Sequence, residues 1–217
     1  MKKTTILLPI LRTASFVLAF IGLAMVVRRV LALNGLLTGF GPPGEPFDGG
    51  LDRHPVLTLI HIIPGGVFMI LGPLQFLPRI RARYPRFHRR SGRIFIAAGY
   101  IIGITALVMP FAMTLIGGVN EAAGILIFAL YFLTALTRAW WHIQHRRLTL
   151  HREWMIRAFA VGLAVATIRP IVVLFFIFSR LSPHVFFGTA FWIGFVLHAI
   201  VAEVWINSTR NSLALAK

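Results

Sequence analysis

Residues 79–93, RIRARYPRFHRRSGR, lie between two apolar runs and hold seven arginines, one histidine and no acid. A second stretch, residues 142–157, reads HIQHRRLTLHREWMIR. Arginine this dense cannot sit in hydrocarbon, and apolar runs this long cannot stay in water. The two stretches therefore read as basic connections between membrane helices, and they fix the orientation of the rest of the chain.

Composition supports the same class. Of 217 residues, 58% are apolar, and mean hydropathy is +0.82. Ordinary soluble domains are less apolar and carry far more charge than the 13% here. The net charge of +16, from 22 basic and 6 acidic residues, would suggest nucleic acid in a soluble protein. Here the arginines fall between apolar runs and no recognition module is visible. Nucleic acid is not an expected partner; membrane lipids with anionic headgroups are. The chain has no cysteine, which excludes disulfides, iron–sulfur ligation and thiol redox chemistry.

The expected fold is all-α, a polytopic bundle of six transmembrane helices. The first apolar run, residues 6–27, follows Lys2 and Lys3 and so invites comparison with a signal peptide. It is long enough to span and ends in MVVRRVL without a small-x-small cleavage site, so an uncleaved anchor is expected. Arg28 and Arg29 at its far end suit snorkelling to headgroups. Residues 34–54 are rich in glycine and proline and contain Glu45, Asp48 and Asp52. They read as an irregular, solvated periplasmic loop with no calcium-loop spacing.

The remaining spans fall at about 55–77, 94–116, 122–141, 155–178 and 185–206. The organisation is an N-terminal helix (1–33), a Gly/Pro-rich loop (34–54), a five-helix core (55–206) and a short tail (207–217). In the second span His61, Gly65, Phe68, Gly72 and Gln75 share one helical face, which points inward because glycines admit a close neighbour and polar groups avoid lipid. Arg169, His198 and Glu203 fall within later spans, where each is costly unless paired or hydrated. Arg169 is expected to face the interior near His61.

The second and fourth connections hold Arg79, Arg81, Arg83, Arg86, Arg89, Arg90, Arg93, Arg146, Arg147, Arg152 and Arg157. The alternate ones hold mainly Arg53 and Arg180. This bias puts both termini in the cytoplasm. His88 and His151 each precede a helix entering from that side. With so many arginines near and few acids, an anion such as a lipid phosphate is the better ligand there than a cation. His88, Arg89, Arg93, His151, Arg152, Trp154 and Arg157 are the expected site. The competing structural role for the two histidines is bonding to backbone carbonyls at helix entries.

Three motifs carry a resemblance. HxxxGxxxxxxGPLQF from His61, RxRxPxxHRRxGR from Arg81, and HREWMIR from His151 followed by TIR at Thr167 resemble the bacterial predicted membrane proteins grouped as domain of unknown function 2306. The resemblance covers about residues 54–206. It implies a multi-helix protein of the bacterial inner membrane and carries no activity with it.

No Ser–His–acid or metalloprotease motif appears, so a non-enzymatic protein is expected, one that binds lipid or a small ligand, transports, or assists assembly. No cofactor is expected. The alternative is a haem or metal redox protein using His61 or His198, with Arg169 beside a propionate. At about 1.5 Å per residue, His61 lies roughly 9 Å and His198 roughly 20 Å below the outer surface, which disfavours a bis-histidine pair.

Overall fold

A computed structural model describes residues 2–37 and 49–214, with side chains for 7–37 and 50–210. The described chain is helical, with no strand among the described residues. Its elements in order are α1 (Lys2–Leu33), α2 (Gly49–Arg53), α3 (Pro55–Gln75), α4 (Pro78–Arg83), α5 (Pro85–Ala112), α6 (Gly118–Gln144), α7 (Leu148–Phe178) and α8 (Pro183–Ala214). Six of them, α1, α3, α5, α6, α7 and α8, are long and apolar enough to cross a membrane. They run alternately up and down. The start of α1, the end of α8 and the connections α3–α5 and α6–α7 therefore share one end, the arginine-rich end. Glu45 and Asp48 of the Gly/Pro-rich loop lie outside the described residues. Part of that loop, Gly49–Arg53, is helical, and Thr58 Oγ1 ties it to α3 by donating to the Leu51 carbonyl at 2.9 Å.

The helices begin earlier than the apolar runs. The basic stretch is not an irregular connection: it contains α4 and the first turns of α5. Pro78 and Pro85 each stand at the start of a helix, where the missing N–H costs nothing and the fixed φ is already helical. Tyr84 separates the two helices, held out of the helical region by the proline that follows it. Arginine is a good helix former, so nothing in RFHRRSGR interrupts α5. Likewise α7 starts at Leu148 and includes HREWMIR, and α8 continues past 207 through Ala214. At 28 and 31 residues, α5 and α7 are about 42 and 46 Å long, well over the roughly 30 Å of a hydrocarbon core. Their arginine-bearing first turns extend beyond it.

The core sits around α7, which packs against α1, α6 and α8. Its buried residues lie on all sides, from Met155 and Ile156 through Ala158, Phe159, Ala160 and Ala164 to Val172, as expected of a helix enclosed by others. Opposite it, α3 makes a reciprocal contact. Phe68 of α3 lies over Gly162 of α7, where a Cβ would stand 2.5 Å from the ring. Phe159 of α7 lies over Gly72 of α3, where a Cβ would stand 2.2 Å from the ring. Small residues let the two helices approach, and the phenylalanines fill what remains. Phe68 also stacks on Phe95 of α5, centroid to centroid 4.2 Å, and meets Phe132 of α6 edge-on at 5.7 Å. One aromatic centre thus joins four helices. The outward residues, such as Ile60, Ile63, Ile104, Leu130 and Ile200, are exposed and apolar, as a lipid-facing surface requires.

Candidate functional site

Polar side chains gather at the two ends of the bundle. At the arginine-rich end, cations arrive from four helices. Arg12 of α1 and Arg81 of α4 both act electrostatically on Arg152 of α7. Arg81, Arg89 and His151 act on His88 of α5. His88 of α5 and His151 of α7 therefore lie within electrostatic reach of each other. His151 Nδ1 donates to the Ala139 carbonyl of α6 at 2.8 Å, which fixes its ring at the helix entry. His88 Nδ1 and Arg12 Nε are buried and make no hydrogen bond. The acid that acts on Arg152 is Glu153. Its carboxylate is buried and already committed, bonded through both oxygens to Nε and Nη2 of Arg210 from α8. The cluster so carries an excess of positive charge that its own acid does not offset.

Trp154 and Arg157 belong elsewhere. Arg157 gives Nε and Nη2 to the two carboxylate oxygens of Glu203 at 2.6 and 3.0 Å, joining α7 to α8. Two guanidinium groups lie over the Trp154 ring, Arg157 at 4.6 Å and Arg138 of α6 at 5.3 Å from its centroid. This arrangement uses Arg157 and Glu203 structurally and removes Arg157 from the anion-facing group. Arg93 is exposed and is not drawn into either set.

The motif residues of α3 and α5 meet. Gln75 Nε2 donates to Ser91 Oγ at 2.8 Å, and Ser91 Oγ donates to the Phe87 carbonyl at 2.7 Å. The Gln75 side chain also covers Gly92, where a Cβ would stand 3.2 Å from Oε1. GPLQF and HRRSGR are thus two halves of one joint that sets the arginine-rich turn of α5 against α3. Toward the middle of the bundle His198 is buried, and its Nε2 lies 2.8 Å from Thr167 Oγ1.

At the opposite end a cavity of about 320 Å³ lies among α1, α3, α5, α6, α7 and α8. His61, Arg169 and Glu121 line it. His198 is not among its lining residues, so the two histidines considered for iron do not meet there. Glu121 is buried near the start of α6. Its Oε2 accepts the Gly117 N–H at 2.9 Å, and Arg169 acts on it electrostatically. The span expected at 122–141 starts one residue after Glu121, and this role was not foreseen. The available signal was an acid in the first turn of an apolar helix, where the helix dipole favours it. Arg29, also at the cavity, forms an ion pair with Asp52 at 3.1 Å. Among the described residues no group of three or more His, Asp or Glu side chains is arranged to hold a metal ion.

Six long apolar helices with polar clusters at both ends define a polytopic membrane protein. Within that class the chain belongs to the family described as predicted membrane protein, domain of unknown function 2306, whose model matches residues 58–206. The match takes in the α3–α5 joint, the histidine pair and the Arg157–Glu203 bridge. No curated protein and no solved structure matches the chain.

Proposed function

We propose that this protein binds an anionic lipid headgroup at its arginine-rich end and does so without turnover, as a lipid-binding or assembly component of the bacterial inner membrane. The observation that carries this reading is the gathering of Arg81 and Arg89 at His88 and of Arg12 and Arg81 at Arg152, four arginines from four helices, with Glu153 already taken by Arg210. Like charges gathered this way repel. A phosphate oxygen set between them turns the repulsion into charge-assisted bonding. The site sits where arginine-bearing helix turns extend past the hydrocarbon core, at headgroup depth.

The arginine-rich end faces the cytoplasm on this reading, because arginine is retained on that side during insertion. A reporter joined after Lys217 should then be active in the cytoplasm. Activity confined to the periplasm would reverse the orientation. Protein purified in mild detergent should retain phosphatidylglycerol over phosphatidylcholine. The pair His88→Ala with His151→Ala should lower that retention several-fold; unchanged retention would refute the role of the histidines. The protein so purified should lack a Soret band. A Soret band lost on His61→Ala would favour the haem alternative.

A further inference from the structure

The cavity at the opposite end carries a second assignment. We propose that it binds a neutral, largely apolar molecule bearing one hydroxyl, and that the hydroxyl donates its hydrogen to Nε2 of His61.

The direction of that bond follows from Thr105. Its Oγ1 lies 2.7 Å from the Ile101 carbonyl and 3.0 Å from the Ile102 carbonyl. Carbonyl oxygens only accept, so the single hydroxyl proton of Thr105 goes to them. Oγ1 lies 2.7 Å from His61 Nδ1 and, with its proton spent, can only accept there. The proton of the imidazole is therefore on Nδ1. A neutral imidazole carries only that one ring proton. Nε2 is left as a bare acceptor on a residue that lines the cavity, and it makes no hydrogen bond among the described residues.

Charge balance selects a neutral ligand. Arg29 is paired with Asp52 and Arg169 lies beside Glu121, so two of the three arginines that line the cavity already have an acid beside them. A carboxylate or phosphate would face a bare His61 acceptor and the Glu121 carboxylate, whereas a hydroxyl meets Nε2 with the donor it needs. The rest of the wall is apolar and aromatic, including Phe68, Phe128, Phe132, Phe191 and Phe195. That is the usual make-up of a small-molecule site, a hydrophobic enclosure with a few placed polar groups. The cavity descends from His61, near the start of α3, to Phe68 and Phe132 in the aromatic centre, so an apolar body can lie along it with its hydroxyl at the top.

The test uses the full-length protein in detergent with a long-chain primary alcohol, dodecanol, and its methyl ether as probes. The alcohol should bind at least tenfold more tightly than the ether, which cannot donate. His61→Phe should weaken alcohol binding about tenfold, the scale of one buried hydrogen bond. Gly65→Leu supplies a variant that keeps the fold. Gly65 lines the cavity one turn below His61, and a Cβ there meets nothing within 4 Å. It should abolish binding of the alcohol while leaving the thermal midpoint unchanged. Equal affinity for alcohol and ether, or full binding by Gly65→Leu, would overturn the assignment. Displacement of dodecanol by diacylglycerol would identify the natural source as a membrane lipid. Displacement by single-chain alcohols alone would identify a freely diffusing hydrophobe.

Discussion

Gly72→Val is expected to destabilise the bundle more than any other single substitution in α3. A Cβ at Gly72 would stand 2.2 Å from Cε2 and 2.8 Å from Cδ2 of Phe159. The ring cannot step aside, because Phe68, Phe76 and Phe95 surround it with centroids 6.0, 5.1 and 6.1 Å away. Replacing glycine inside a helix gains at most about 1 kcal/mol of propensity, and less for a β-branched residue. Overpacking a filled core costs about 1–3 kcal/mol, occasionally more. The clash therefore wins. The thermal midpoint in detergent, compared at one heating rate, should fall clearly for Gly72→Val. It should barely move for Gly65→Val, whose site is open. Equal midpoints for the two variants would mean that α3 and α7 do not pack through Gly72.

Arg157→Leu should give the next largest loss. It removes both hydrogen bonds to Glu203 and one of the two cations on Trp154. Stranding one member of a fully buried pair costs about 3–5 kcal/mol. Here the Glu203 side chain is 47% exposed, so a loss on the order of 1–2 kcal/mol is expected, because the abandoned carboxylate keeps some access to headgroups and water. Arg157→Lys should recover only part of it, since a single ammonium cannot reproduce the forked contact to both oxygens. A double-mutant cycle with Glu203→Gln should show coupling between the two sites. Additive effects would show that the bridge contributes nothing.

The six spans were legible because length and hydropathy alone separate a bilayer-crossing helix from a buried soluble one. The helix starts were less so. Pro85 and the arginines after it look like a break in an apolar pattern, yet proline at a first position and arginine within a turn both suit a helix. His61, Gln75 and Arg169 stood out as polar residues in apolar runs. Their partners did not, because Thr105, Ser91 and Glu121 come from other helices and no local spacing points to them. Glu203 and Arg157, 46 positions apart, each looked like a separate feature. Arg12 and Arg81 were missed at the anion cluster for the same reason: only the packing of α1 against α7, and of α4 against α5, brings them to Arg152.

Native mass spectrometry of the purified protein, titrated with phosphatidylglycerol and phosphatidylcholine at two ionic strengths, tests the anion site most directly. Wild-type protein should hold a single phosphatidylglycerol in preference to phosphatidylcholine, with the preference shrinking as salt rises. Arg12→Gln, Arg81→Gln and Arg152→Gln combined should erase the preference without altering the thermal midpoint. A wild-type protein that holds both lipids equally, or a triple variant that keeps the preference for phosphatidylglycerol, would contradict an anion site at the arginine-rich end.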